Sequence, residues 1–136
     1  MWNRIFKPMD VLQQGLSASW TRNAVIRNNL ANIETPNFKA SYVEFESLFK
    51  RALEDSNRIE GARTHPRHIE IGGVRMDNVK PVVRQSRDLS LRMDGNNVDV
   101  ESENVRLVQN SIFYNTLMEK LNSEIRRLRM AISEGR

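Results

Sequence analysis

The chain has no cysteine and no long apolar run, and it has no aromatic residue between Phe49 and Phe113. Without cysteine it can form neither a disulfide nor a thiolate metal site. No apolar run approaches the roughly 18 residues of a membrane-spanning helix. The first residues lack the apolar core and the small-residue cleavage site of a secretory signal peptide. Taken alone, these absences predict a cytoplasmic protein.

The composition limits the size of any core. The 136 residues make at most one ordinary domain, with a hydrophobic content of 39% and a charged content of 28%. Because the middle of the chain lacks aromatic residues, we expect a thin core and a marginally stable isolated monomer. The net charge of +4 would suit an acidic partner, but the basic residues are scattered along the chain.

Apolar residues recur at alternating spacings of four and three in one segment near each end of the chain. Such spacing is typical of helices that pair in a coiled coil, which indicates a protein that functions by assembling. We predict that these residues form an assembly seam, with Leu12, Leu16, Ile26, Leu30 and Ile33 in the first segment and Leu107, Tyr114, Met118, Leu121, Ile125, Leu128 and Ile132 in the second.

Polar residues interrupt both series, with Ser19 and Asn23 in the first and Ser111 in the second. Small polar residues at such positions can fix the register of two helices and let them approach closely. Alternatively, the first series drifts around its helix, and Trp20 and Ala24 take over the two positions.

These patterns predict a mainly α fold with a long helix near each end. The first helix should start at Pro8 and Asp10 and stop before Pro36, because proline disfavours helical geometry at the preceding residue. The second should begin near Asp99, since acidic residues crowd its start and arginines its end. The domain that the terminal helices form should therefore comprise residues 1–34 and 100–136.

The middle segment, residues 35–99, should combine a short helix, a loop and short strands. An amphipathic helix is predicted where apolar residues follow a helical spacing, at Phe45, Leu48, Phe49, Ala52 and Leu53. Residues 54–67 are polar and predict a loop. Alternating residues predict strands at 69–71 and 89–93, and Pro81 limits 79–83 to an edge strand. Residues 94–97 predict a turn.

Two polar motifs resemble those of a known protein family. The first motif reads Asn-Asn-Leu-Ala-Asn-x-x-Thr-Pro-x-Phe-Lys and comprises Asn28, Asn29, Leu30, Ala31, Asn32, Thr35, Pro36, Phe38 and Lys39. It resembles the end of the N-terminal helix in rod, hook and hook-filament junction proteins of the bacterial flagellum. The second motif comprises Asp94, Gly95, Asn96, Asn97 and Asp99, and it narrows the resemblance to the flagellar basal-body rod protein family, among its proximal rod subunits.

The first motif departs from the family at Asn37, where glycine is usual. Asparagine also tolerates a left-handed backbone, so we expect the turn to be kept.

The resemblance implies a structural subunit that assembles helically in the proximal rod and transmits torque. The terminal helices would pair as an inner coiled-coil layer, and the middle segment would form an outer region. The implied partners are copies of the same chain, the rod–ring adaptor FliE, the rod protein FlgC and other rod subunits. The resemblance also implies passage through the flagellar type III export apparatus without a cleaved signal, and a periplasmic rod location rather than a cytoplasmic one.

Phe45 and Phe49 fit the Phe-x-x-x-hydrophobic element by which related subunits dock at the flagellar export gate. Trp2, Ile5 and Phe6 similarly resemble a short N-terminal export signal. A packed helix face and an apolar tail explain the same residues equally well, so both interpretations stay open.

Other chemistry has little support in the sequence. His65 and His68 are the only histidines, and a zinc site would need two further ligands nearby. Residues 94–99 lack the ligand spacing of a calcium loop. There is no phosphate-binding loop, nucleophile elbow or pair of catalytic carboxylates. We therefore expect no enzyme activity, cofactor, metal or small-molecule substrate.

Two other functions remain as alternatives. A cytoplasmic coiled-coil adaptor would also use the two apolar series. A basic nucleic-acid-binding module would fit the net charge, but no lysine cluster or aromatic stacking face is present.

Overall fold

The computed structural model describes residues 2–56, 79–90 and 92–133, with side chains from residue 8 onward and to residue 54 in the first range. In these ranges the chain forms α1 (Trp2–Ala31), β1 (Ser41–Glu44), α2 (Glu46–Ser56), β2 (Val82–Gln85) and α3 (Val100–Ser133). The prediction of a mainly helical fold with long terminal helices is therefore confirmed. No helix among these residues is long and apolar enough to cross a membrane.

The two long helices pack against each other and run antiparallel. Ser19 contacts Asn110, while Asn29, further along α1, contacts Glu103, which is earlier in α3. Gly15 lies against α3, because a Cβ placed there would be 3.1 Å from a methyl group of Leu117. The missing side chain at Gly15 therefore allows a close approach.

The predicted start of the first helix was wrong. The helix α1 begins at Trp2 and contains Pro8. Pro8 lies beyond the first turn of α1, where its missing N–H costs one backbone hydrogen bond and its ring crowds the preceding turn, yet α1 runs through it. At the other end α1 stops at Ala31, where the amide of Asn32 still bonds the carbonyl oxygen of Asn28 at 3.2 Å.

The beginning of the second long helix agrees with the prediction. The carboxylate of Asp99 accepts a hydrogen bond from the backbone amide of Glu101 at 3.0 Å, immediately before α3 begins. Such an N-cap stabilises a helix by about 1 kcal/mol, because it satisfies an amide that has no partner inside the helix.

The two strands pair antiparallel, with Tyr42 opposite Arg84 and Val43 opposite Val83. The sequence did not predict β1, and β2 begins inside the predicted edge stretch 79–83. The strand predicted at 89–93 is wrong, since Leu89 and Met93 are 93% and 106% exposed and no strand among the described residues lies beside them. The predicted strand at 69–71 and most of the predicted loop at 54–67 lie outside the described residues.

A small apolar core joins α1, the strand pair and α2. Its buried members are Ala18, Val43, Phe45, Ala52 and Val79, with Val25, Leu48 and Phe49 packed against them. The amphipathic helix predicted around Phe49 is confirmed as α2. Burying a large apolar side chain contributes about 1.5–3 kcal/mol, so a cluster of this size provides modest stability.

Candidate assembly site

Ser19 and Asn110 form a buried polar pair across the two long helices. The Ser19 hydroxyl donates to Asn110 Oδ1 at 2.9 Å, and Asn110 Nδ2 donates to the Ser19 carbonyl oxygen at 2.9 Å. Their exposed fractions are 1% and 3%. A slip of either helix would leave these groups buried without partners, so the pair fixes the register. The alternative was that Trp20 and Ala24 take over the positions of Ser19 and Asn23. It is wrong for the single chain, because Trp20 and Ala24 are exposed, whereas Ser19 is buried and Asn23 is half-buried.

Asn29 connects three elements at the other end of the helix pair. Its Nδ2 donates to the Ser41 carbonyl oxygen at 2.7 Å and to Glu103 Oε2 at 3.1 Å. Its Oδ1 accepts from the Ser41 amide at 2.9 Å. Glu103, which is 2% exposed, also accepts from Arg106 at 2.7 Å. One side chain of the first motif thus holds α1, β1 and α3 together.

The predicted seam coincides only partly with the contact between α1 and α3. Ile26 is buried, and Leu12, Leu16, Leu30 and Ile33 are half-buried. On α3, the members of the predicted seam that are half-buried in the single chain are Leu107, Tyr114, Met118, Leu121 and Leu128.

At two places on α3, the residue that contacts α1 comes one position before the predicted one. Asn110 and Leu117 contact α1, each one position before the predicted Ser111 and Met118. Ile125 and Ile132 are 38% and 77% exposed. Whether the predicted series forms a seam between subunits stays a prediction.

The two sequence motifs meet in space and form what we call the motif junction, residues 28–39 with residues 92–99. The amide of Asn37 donates to the Asp94 carbonyl oxygen at 2.8 Å. The Lys39 ammonium donates to the Gly95 carbonyl oxygen at 2.8 Å, and the Ala40 amide, just beyond the junction, donates to Asn97 Oδ1 at 2.7 Å. The motif residues therefore recognise each other across more than 50 positions of sequence.

Asn96 lies fully buried at the centre of the motif junction. Its Nδ2 donates to the carbonyl oxygens of Asn32, Ile33 and Thr35 at 2.9, 2.9 and 3.0 Å. Its Oδ1 accepts from the Val98 amide at 2.8 Å. These carbonyl oxygens belong to the turn that follows α1, so Asn96 holds that turn in place from a distant part of the chain.

The backbone at the motif junction is left-handed at two positions, with φ of 60° at Asn37 and 76° at Gly95. The expectation that asparagine keeps the family's turn at position 37 is therefore confirmed. A Cβ on Gly95 would lie 2.6 Å from Asn37 Oδ1. Glycine at position 95 is thus required both by the backbone conformation and by the space available.

Hydrogen bonds lower the pKa values of two carboxyl groups, those of Asp94 and Glu44. The Asn96 backbone amide and then the Arg92 guanidinium hold the pKa of Asp94 below its ordinary value, against some desolvation. The Asp94 carboxylate lies 2.7 Å from Arg92 Nη2. In the strand pair, hydrogen bonds from Arg84 and then Ser47 lower the pKa of Glu44. In their charged forms, the Asp94 carboxylate thus stabilises the turn and the Glu44 carboxylate stabilises the strand pair.

The arrangement connects segments of the chain, and its chemistry is that of hydrogen bonding and packing. Residues 2–56, 79–90 and 92–133 contain no group of three or more histidine, cysteine, aspartate or glutamate side chains that could hold a metal ion. His65 and His68 lie outside the described residues.

Phe45 and Phe49 are packed in the folded chain. Phe45 is 6% exposed, and its ring stacks on that of Phe49 with centroids 5.7 Å apart and an interplanar angle of 23°. Recognition of these rings at an export gate would therefore require an unfolded chain. Their docking role stays a prediction.

Comparison with known proteins identifies relatives that match nearly the whole chain. No protein-family model matches the chain. It is 37% identical to the flagellar basal body rod protein FlgB of Bacillus subtilis (strain 168) over 125 residues, which cover 92% of each chain. The FlgB protein of Borreliella burgdorferi is 33% identical over 118 residues, or 85% of this chain and 87% of that protein.

The chain belongs to the FlgB family of flagellar basal body rod proteins. The FlgB protein of Aeromonas hydrophila, 33% identical over 132 residues, covers 93% of this chain. The resemblance to flagellar rod proteins is confirmed. In the described part of the chain, Asn29 and Asn96 join the motifs to the helix pair. Sequence reasoning missed Gly15, Asn110 and Leu117, each of which comes one position before a member of the predicted series. Their signal was the same helical spacing, shifted by one residue.

Proposed function

We propose that this chain is a structural subunit of the proximal rod of the flagellar basal body, which assembles helically and transmits torque. The observation that carries the proposal is the match to FlgB proteins along nearly the whole chain. The motif junction supports it, because both family motifs are used to connect segments of one rigid unit.

A torque-bearing subunit must not shear between its helices and its middle segment. Asn96 holds the end of α1 beside the start of α3, and Asn29 holds β1 against both helices. We infer that the terminal helices, residues 1–34 and 100–136, form an inner coiled-coil layer. Residues 35–99 would form an outer region that contacts neighbouring subunits.

The proposed partners rest on the resemblance to flagellar rod proteins. We infer contacts with copies of the chain, with FliE, FlgC and other rod subunits, and export through the flagellar type III apparatus to a periplasmic rod. Apolar side chains on the second half of α3 support such contacts, since Ile125, Met130 and Ile132 are 38%, 56% and 77% exposed in the single chain. Exposed apolar surface of this kind marks interaction sites.

Locating the subunit in purified basal bodies tests the proposal. A tagged chain that restores motility to a deletion strain would be imaged with a gold label, and the label should lie on the rod between the inner-membrane ring and the distal rod. Untagged basal bodies provide the control. A motile strain whose label stays in the cytoplasm, with unlabelled basal bodies, would favour the coiled-coil adaptor instead.

A further inference from the structure

Each long helix carries an apolar surface that the described part of the single chain leaves uncovered. On α1, Trp20 is 71% exposed and projects between the small exposed residues Ser17 and Ala24. On α3, three aliphatic side chains lie on one face at spacings of three and four. These residues, the α3 patch, are 56%, 60% and 62% exposed and comprise Val105, Val108 and Ile112.

The two surfaces lie at the same level of the helix pair and on different sides of it. Trp20 follows Ser19, which bonds Asn110, and Asn110 lies between Val108 and Ile112 in the sequence. Successive helical residues are about 100° apart. Trp20 therefore points to one side of the helix pair, about 100° from the direction of α3, and the α3 patch points away from α1.

Charges beside the two surfaces are complementary. Arg27 is exposed and lies seven residues after Trp20, about 10 Å along the helix on the same side. Glu101 is exposed, four residues before Val105 on the face of the α3 patch. Because the helices are antiparallel, both charges lie toward the same end of the pair. Neither has an ion-pair partner among the described residues.

We propose that Trp20 of one subunit packs on the α3 patch of a second copy, and that Arg27 lies beside Glu101 of that copy. The inference rests on the proposed function and names a contact within the rod. The tryptophan side chain would bury about 150–250 Å² of surface. Central aromatic residues often dominate interface energies.

The contact joins two different surfaces, so it is heterologous. Each bound copy keeps one surface free for the next, and repetition builds a ring or an open helix. Ser19 faces α3 and Trp20 is only about 100° around α1 from it. The two docking directions are therefore not diametrically opposite, and a row of copies would curve.

Disulfide cross-linking tests this contact directly, since the chain has no cysteine of its own. Ser17 is one turn before Trp20, and Asn115 is almost one turn after Ile112, so the proposed contact brings Ser17 beside Asn115 of the next copy. Chains with Ser17→Cys and Asn115→Cys should give a ladder of dimers and larger species in basal bodies. Both positions are exposed, and neither substitution changes Trp20 or the α3 patch.

The matched control pairs Ser17→Cys with Ser102→Cys. Ser102 is also exposed, but it lies about 20 Å along α3 from Asn115, so no ladder should form. A subunit that is present in basal bodies and forms no ladder through Ser17 and Asn115 would overturn the contact and leave the rod function standing. Absence of the chain from basal bodies would instead overturn the proposed function, and the contact with it.

Substitutions in the cross-linking background test the chemistry. Trp20→Ala should reduce the ladder about tenfold or more, while Trp20→Phe, which keeps an aromatic ring, should retain much of it. Arg27→Glu should reduce it by about two- to fivefold, as for an exposed ion pair, and adding Glu101→Arg should restore it. An undiminished ladder with Trp20→Ala, or no restoration by Glu101→Arg, would contradict the proposed arrangement.

Discussion

Ser19 and Asn110 exchange two hydrogen bonds across the antiparallel helix pair, although they are 91 positions apart in the sequence. Each is buried at a position where a coiled coil would favour an apolar side chain. A reciprocal pair of this kind restricts the two helices to one register, because every other register leaves both groups unpaired.

The first prediction concerns the energy of this pair. Asn110→Ala should lower the free energy of unfolding by about 1–3 kcal/mol, since it leaves the buried Ser19 hydroxyl without its acceptor. The double variant Ser19→Ala with Asn110→Ala should lose less than the sum of the single losses. Urea unfolding followed by circular dichroism measures each value.

The exposed Ser111→Ala is the control, and it should change stability by no more than about 0.5 kcal/mol. Strictly additive losses at Ser19 and Asn110 would show that the two side chains do not depend on each other.

The second prediction concerns Gly95 and Asn37. Gly95→Ala should destabilise the fold by about 1–3 kcal/mol, because the backbone is left-handed and the new methyl group meets Asn37 Oδ1. Asn37→Gly alone should be nearly neutral, since glycine accepts the same backbone conformation. Combined with Gly95→Ala it should recover part of the loss. If the combined variant is no better than Gly95→Ala, the contact between these residues is not the cause.

The third prediction concerns pH. The Asn96 amide and the Arg92 guanidinium lower the pKa of Asp94 in the folded chain. A carboxyl group with a lowered folded-state pKa stabilises the fold at pH values above its unfolded pKa. That contribution is lost as the pH falls through the lowered folded-state pKa. Unfolding measured across this acidic range should therefore depend less on pH in Asp94→Asn.

Glu44 has a lowered pKa as well, so some acid dependence should remain in Asp94→Asn. The exposed Asp10→Asn provides the control and should leave the acid limb of the wild-type curve in place. An Asp94→Asn curve that overlays the wild-type curve would count against a stabilising role of the Asp94 carboxylate.

The fourth prediction concerns the predicted seam. Leu30→Asp or Leu121→Asp should block incorporation into the rod while leaving secretion intact, because an unfolded export substrate does not use the seam. A charge placed at these half-buried positions would lose its hydration on packing. Swimming assays and immunoblots of the periplasmic fraction distinguish assembly from secretion. Normal motility in either variant would show that the position lies outside the seam.

Local patterns predicted the features that depend on neighbouring residues. The cap at Asp99 and the left-handed turn at Asn37 both follow from nearby sequence, and both are present. The first motif was recognised as a pattern, but the sequence did not show which contacts its residues make. Asn96 holds the turn after α1 from more than 60 positions away, and a local pattern contains no information on such a contact.

The errors have the same physical origin. Leu89 and Met93 alternate as strand residues do, but no strand among the described residues lies beside them. The strand β1 was missed because its partner is about 40 residues further along the chain. Asn110 was overlooked because the search for helix contacts followed apolar residues. An asparagine is suitable at this buried position of α3 only because Ser19 lies opposite it on α1.

The last prediction concerns export and uses two neighbouring core residues. Phe45 and Val43 are both buried, at 6% and 8% exposed, but only Phe45 belongs to the predicted export element. If Phe45 docks the unfolded chain at the export gate, Phe45→Ala should leave the subunit in the cytoplasm. Val43→Ala should be exported in wild-type amounts and then assemble poorly, because its loss affects packing alone.

Cells that lack the remaining rod proteins separate these two steps, since the exported subunit cannot be retained by the rod. The amount outside the inner membrane is then measured by fractionation and immunoblotting. Equal export of Phe45→Ala and wild type would reject the docking role and leave Phe45 as a core residue. Equal retention of Phe45→Ala and Val43→Ala in the cytoplasm would point to degradation or misfolding of both chains, and would likewise remove the argument for a specific export element.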